Sequence, residues 1–314
     1  MALFLFEGRR PRKFPNIAPF RSLRSYTVDD RTQKSSDARG SLGQFIWAEG
    51  ARHADITGSH DPARSKAFEF RTALPGEYSR ARCAVRESEF FEAATDIAVQ
   101  GGLPPSAFVL THGMACRYRL LPDGKRQILT FLIPGDIFDL HAFLLKAMDH
   151  SVGTLVPARL VVIPRATVFD IFEHHPRISA ALWWSALQEE AIYRERIVAL
   201  GRRSARGRVA YLVCELVWRQ RAVGLSEDNA IRLPLTQLDL ADALGLTSVH
   251  INRVIQGFRR DTLITLAHRR LTLLNIERLQ EIAGFDQDYL HLGGAPTEVR
   301  SYIEKLERDL REVY

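Results

Sequence analysis

Ser248, His250, Asn252, Arg253 and Gln256 crowd into one short stretch, interleaved with the apolar Val249, Ile251, Val254 and Ile255. A hydroxyl, an imidazole, two carboxamides and a guanidinium are groups that donate to and accept from base edges and phosphates. The guanidinium fork suits guanine and the carboxamides suit adenine. Thr247 precedes the stretch as a helix cap, and Arg259 and Arg260 close it. A helix over Ser248–Arg260 would therefore carry polar groups on a face that apolar neighbours do not occupy.

Presenting such a helix needs a support, and the residues just upstream supply one. Thr236 can cap a first short helix, with Asp239 as its acidic first-turn residue. Leu238, Leu240, Ala241 and Leu244 give that helix an apolar side, and Gly245 allows a left-handed turn out of it. Two short helices about a glycine, the second polar and basic at its end, describe a helix-turn-helix. The same pattern also occurs in all-α cores that bind no nucleic acid, so spacing alone leaves both readings open.

The chain has 314 residues, 46% of them hydrophobic, which suggests about two domains. Its net charge of +6 and isoelectric point near 9.4 agree with a polyanionic partner. The surplus gathers before Arg82 and again over Arg202–Arg221. No apolar run reaches the ~18 residues a membrane-spanning helix needs, so no membrane partner is expected. The three cysteines, Cys83, Cys116 and Cys214, are widely spaced. They form neither a disulfide framework nor a Cys-x-x-Cys, which fits the reducing cytoplasm. None of the ten histidines pairs with another at zinc-ligand spacing, and His174-His175 before Pro176 reads as a loop. No metal ligands are therefore expected. With no Gly-rich phosphate loop, nucleophile elbow or metal triad, the sequence offers nothing for an enzyme.

Taken in order, residues 1–81 read as a poorly ordered extension, bearing Arg, Ser and Pro with little periodicity. A non-conserving tail or a misjudged start codon explains them more economically than a regulatory arm. Residues 82–175 carry short β-type runs at Arg82–Glu87, Thr95–Val99, Ala107–Leu110, Ala115–Leu121, Gln127–Phe131 and Leu160–Ile163. Turn signals separate them, Pro122-Asp123-Gly124 being the clearest hairpin, so a small β-roll or jelly roll is expected. Pro176 to Leu200 contains no internal Gly or Pro and reads as one long helix, with Ala181, Trp184, Ala191, Ile192, Val198 and Ala199 near one stripe. Gly201-Arg-Arg-Ser-Ala looks like a hinge, and Ala205–Val223 the first helix of the domain 201–292. Arg202, Arg203, Arg206 and Arg208 there could touch phosphates or merely face solvent. Residues 293–314 read as a last amphipathic helix begun by Pro296-Thr297.

The stretch Leu-Pro-Leu-Thr-Gln, Asp-Leu-Ala-Asp-Ala-Leu-Gly-Leu-Thr, Val-His-Ile-Asn-Arg-Val-Ile-Gln and the Leu263-Ile264 exit resembles the C-terminal helix-turn-helix of the Crp–Fnr family of bacterial transcription regulators. The likeness runs on through the wing-like Leu266–Leu274 to Leu292. It resumes upstream in the run from Cys116 to Leu140, which resembles the central strands of the family's cyclic-nucleotide-binding-type β-roll. Phe138–Met148 would then be the short helix inside that roll. The resemblance implies an α+β chain: an N-terminal jelly-roll-like sensor domain, a long dimerisation helix at 176–200 and a C-terminal winged helix-turn-helix.

It also implies a cytoplasmic transcription regulator whose partners are double-stranded DNA, a second copy of the chain and RNA polymerase. Arg253 occupies the place of the family's base-reading arginine. Ser248 and Val249 stand where many members carry Arg and Glu, so the usual half-site is not to be assumed. Val249 can contact a thymine methyl, and His250, Asn252 and Gln256 are further contacts. Thr236 and Thr247, at helix N-termini, suit phosphates. In nucleotide-binding members a Gly-Glu pair holds the ribose and an Arg-Ser pair the cyclic phosphate. The matching places here hold Gly135-Asp136 and His150-Ser151. Asp136 is a methylene short, and a histidine lacks arginine's permanent charge and fork, so both departures argue against a cyclic nucleotide. Three scattered cysteines argue against an iron–sulfur cluster, and no cofactor is expected. The rival reading is a ligand-gated sensor, which calorimetry with cyclic nucleotides would separate from an orphan regulator.

Overall fold

The computed structural model of the chain describes residues 86–292, apart from 104, 105 and 228. The expected extension over 1–81 and the C-terminal helix over 293–314 lie outside the described residues.

The first body is a roll of eight strands: β1 (Arg86–Phe91), β2 (Asp96–Ala98), β3 (Ser106–His112), β4 (Ala115–Leu120), β5 (Arg126–Leu132), β6 (Ile137–Phe138), β7 (Ser151–Thr154) and β8 (Ala158–Pro164). They make two four-stranded sheets in the orders β1-β8-β3-β6 and β2-β7-β4-β5, antiparallel throughout. Phe108, Leu110, Phe138, Leu160 and Val162 of one sheet meet Ala115, Leu132 and Val152 of the other in the roll's core. Alternation puts Ala107, Val109, Val161 and Ile163 on the far face of the first sheet. That face is covered too, which is why Ala107–Leu110 reads as an unbroken apolar run.

Two helices follow. Helix α1 (Arg165–His174) lays Val168 on the outer face of the first sheet, and α2 (Pro176–Arg202) begins with proline at its first turn. His174 thus ends a helix rather than lying in a loop. The expected inner helix over Phe138–Met148 is only a 3-10 turn at Leu140–Phe143.

The expected stripe of α2 proves to be largely its inward side, since Ala191, Ile192 and Ala199 are buried against the chain itself. Val198 of that stripe is exposed and lies with Trp183, Leu187 and Ile197 in an outward apolar stripe, with Trp183 69% and Ile197 71% accessible. With two apolar faces on one helix, periodicity could not say which one the chain keeps for itself.

Helix α3 (Ala205–Ala222) starts at Ser204, whose side chain accepts from Gly207 N. It runs through the middle of the larger core, with Val209 to Val217 buried among Phe131, Ile133, Leu244, Ile251 and Phe258. The second body adds β9 (Ser226–Glu227), β10 (Ala230–Arg232), α4 (Gln237–Leu244), α5 (Ser248–Arg260), β11 (Ile264–Ala267), β12 (Arg270–Leu273) and α6 (Ile276–Ala283). Its sheet has the order β11-β12-β10-β9. His268 and Arg269 both have positive φ in the two-residue turn between β11 and β12, the backbone that matches the twist of a tight hairpin.

Cys116 on β4 and Cys214 on α3 are buried in that larger core as free thiols. Burial pushes each thiol up to about 12, far above its ordinary value. Because the thiolate is the reactive form, both should resist alkylation of the native chain at pH 7.5. Peptide mapping should find them unmodified by iodoacetamide until denaturant is added; rapid native labelling of either would contradict this burial.

Candidate nucleic-acid interface

Thr236 and Asp239 close the first turn of α4 from both sides. Asp239 N donates to Thr236 Oγ1 at 3.1 Å, and Thr236 N donates back to the Asp239 carboxylate at 2.9 Å. Gly245 ends α4 at φ 62°, a left-handed backbone that glycine adopts without a Cβ penalty. Thr247 then caps α5, accepting from His250 N at 3.2 Å.

Helix α5 presents two unlike sides. Ile251, Val254, Ile255 and Phe258 are buried, and Gly257 lies flat beneath the Arg206 guanidinium. Val249, Asn252, Arg253, Gln256 and Arg260 are exposed, at the i, i+3, i+4, i+7 and i+11 spacing of one helical face. Val249 is 71% accessible, which a valine held for packing would not be. Ser248 and His250 are half-buried beside this face, and Thr247 is exposed at its N-terminal end. Gln237 Nε2 donates to Asn252 Oδ1 at 3.2 Å, tying the start of α4 to the exposed side of α5. Thr236 is exposed and its hydroxyl is engaged in its own cap.

Of the arginines offered for phosphates, three are committed inside the chain. Arg203 bonds Glu195 at 3.0 Å and lies over the Tyr211 ring at 3.9 Å. Arg206 pairs with Asp261 at 2.5 Å, and Arg208 donates to Leu244 O at 3.1 Å. Arg202 is exposed. The hairpin tip adds exposed basic residues, His268 and Arg269, which sequence reasoning passed over. Their signal was His-Arg-Arg inside a strand–turn–strand pattern.

The four candidate effector residues are not gathered into one pocket. Gly135 sits in a turn at φ 98°. Asp136 accepts from Ile133 N at 2.8 Å and from Arg219 at 2.6 Å. Ser151 Oγ accepts from Gln100 N at 2.9 Å. His150 faces elsewhere, with Asp149 and Asp139 at 2.6 and 3.2 Å. Folding brings Asp139, His141 and His150 within ligand reach of one another, a grouping that spacing along the chain did not disclose.

Sequence reasoning also missed how the helix-turn-helix is anchored. Arg126, at the start of β5, donates to Asp242 at 2.8 Å and to Asp239 at 2.7 Å. One guanidinium thus holds the first turn and the middle of α4 against the roll.

Comparison with known proteins places these parts. Residues 207–282 match the family model of the Crp-like helix-turn-helix domain, and residues 88–175 that of the cyclic nucleotide-binding domain. The transcriptional activator protein FnrL of Cereibacter sphaeroides is 30% identical over 188 residues, 59% of this chain and 73% of that protein. The nitrogen fixation regulation protein FixK of Bradyrhizobium diazoefficiens is 28% identical over 194 residues, 62% and 80% of the two chains. The structure of FixK2 from Bradyrhizobium japonicum superposes with a TM-score of 0.57 at 22% identity, covering 64% of this chain and 98% of that one. A CooA variant from Carboxydothermus hydrogenoformans gives 0.55 at 18%, covering 70% and 96%.

Removing the Arg126 guanidinium leaves the buried Asp239 and the half-buried Asp242 carboxylates without their cation. Arg126→Ala is expected to lower unfolding stability by about 1–2 kcal/mol, read from urea denaturation. Arg119→Ala, at an exposed site one strand away, should stay within about 0.5 kcal/mol of the parent. Equal effects of the two would show that the contact does not hold α4.

Proposed function

The chain belongs to the Crp–Fnr family of DNA-binding transcription regulators, and we propose that it binds an inverted-repeat operator as a homodimer, with α5 in the major groove. The observation that carries this reading is the exposed face of α5, where Val249, Asn252, Arg253 and Gln256 project together while Ile251, Val254 and Phe258 lock the other side. A rigid helix with a polar edge can lie along base edges without losing packing. Two copies related by a two-fold axis would address half-sites about one helical turn (~34 Å) apart.

In this reading Arg253 takes a guanine through two hydrogen bonds, Val249 touches a thymine methyl, and His250, Asn252 and Gln256 bond bases or backbone. Ser248, Thr247 and Thr236 meet phosphates at the helix ends. Arg269 on the hairpin tip supplies positive charge, and His268 an imidazole, toward the adjoining backbone. The second copy would cover Trp183, Leu187, Ile197 and Val198 on α2, apolar side chains that water otherwise meets. RNA polymerase is the further partner that control of transcription calls for, and the cytoplasm the compartment. A cyclic nucleotide is not the effector in this reading, because Asp136 is engaged with Arg219 and His150 with two aspartates.

Two measurements test it. Arg253→Ala should weaken binding to the selected operator by about 1–3 kcal/mol and relax preference at one base pair per half-site, read by fluorescence anisotropy at stated salt. Unchanged affinity and unchanged preference would remove Arg253 from the contact. Ile197→Asp should turn a dimer into a monomer by light scattering and weaken operator binding with it. A variant that remains fully dimeric would move the interface off this stripe.

A further inference from the structure

Asp139 follows β6 with φ 59°, a left-handed backbone uncommon for residues with a side chain. Its carboxylate is turned inward and only 2% accessible. Oδ1 accepts from Arg117 at 3.0 Å, yet Oδ2 is buried with no hydrogen-bond partner. A buried carboxylate oxygen without a donor costs free energy that a native fold rarely tolerates without reason. Arg117 does not reach it, being engaged by the Tyr193 hydroxyl at 2.7 Å and by Glu189.

His150 lies beside it, 5% accessible. Its Nδ1 sits 2.6 Å from Asp149 Oδ1 and its Nε2 3.2 Å from Asp139 Oδ1. A carboxylate bonded to the far nitrogen of a histidine is the usual support of a metal-ligating imidazole. His141, on the 3-10 turn, completes the group. One ligand atom from each of the three residues lies within 4.8 Å of the others, and His141 is exposed, leaving an entry path from solvent.

We propose that Asp139, His141 and His150 form a binding site for a divalent transition-metal ion of the zinc class. Two imidazoles and a carboxylate, with no thiolate, suit zinc, cobalt or ferrous iron better than calcium or cuprous copper. The carboxylates of Asp139, Asp149 and Glu189 outnumber the Arg117 guanidinium, and a dication offsets that excess. Three protein ligands leave a position for water or a small anionic ligand. The bound ion would give Asp139 Oδ2 its missing partner and fasten the 3-10 turn to the start of β7. Through Arg117 it would also reach Tyr193 and Glu189 on α2.

The test uses the full chain, stripped with a chelator and titrated with Co(II). One ion per chain, with the visible bands of a low-coordinate cobalt site and displacement by Zn(II), is the expected result. His141→Ala removes an exposed ligand and should keep the circular dichroism of the parent while losing tenfold or more in affinity. Asp149→Asn, which alters only the support of His150, should lose about tenfold to a hundredfold. No uptake by the stripped chain, or uptake unchanged in both His141→Ala and His150→Gln, would overturn the proposal; the second outcome would put the ion elsewhere. Neither readout involves DNA, so its failure and the failure of the operator reading are separate events.

Discussion

The two bodies of this chain are joined through one buried guanidinium. Arg219 on α3 is 8% accessible and donates to Phe131 O of β5 at 3.0 Å, to Asp136 at 2.6 Å and to Glu215 at 3.2 Å. Glu215, 1% accessible, also accepts from Arg196 of α2 at 3.3 Å. Loss of one partner from such a group typically costs about 3–5 kcal/mol, because it strands a charge away from water. Apolar side chains of the same volume would hold the helix equally well. Directional bonds add a restriction: α3 can meet the roll in one rotation and one register, and α2 must comply.

That restriction passes on to α5. Helix α3 shares its core with both the second sheet of the roll and the helix-turn-helix, so Phe131 and Ile133 pack in the same cluster as Leu244, Ile251 and Phe258. Arg126 adds a second tie, to α4. The exposed edge of α5 is therefore positioned by contacts that begin in the roll. A change in how β5 sits against α3 would be felt at Arg253 without any residue between them moving independently. Interiors packed to this density transmit displacement rather than absorb it.

The helix-turn-helix was legible because its signals are local. Thr236, Asp239, Gly245 and Thr247 each act within four residues of where they stand, and each has the capping or turn role its type and spacing suggest. The longer strands were legible for a related reason, since Pro122-Asp-Gly and the apolar runs around it mark a hairpin directly. What escaped depends on pairings distant in sequence. The short strands β6 and β7 carry too few residues to show a period and exist through β3, β2 and β4. Helix α1 was hidden by a His-His-Pro end that resembles a loop. The Asp139–His141–His150 group is assembled by a left-handed residue and a strand start eleven positions on, and neither has a compositional mark. On α2 the helix itself was plain, but the choice of inward face was set by the roll and not by the helix.

The departures at positions 136 and 150 make sense together. In nucleotide-binding relatives a longer acid at the first position reaches out to a ribose. The shorter aspartate here closes on its own turn, with Ile133 N at 2.8 Å, and from there meets Arg219. That carboxylate is thereby part of the strut between the two bodies. At 150 an arginine would bring a second permanent cation next to Arg117, among the carboxylates of Asp139, Asp149 and Glu189. A histidine avoids that repulsion and bonds Asp149 through the nitrogen turned away from Asp139. It leaves Asp139 Oδ2 as the one buried oxygen of the cluster still lacking a partner.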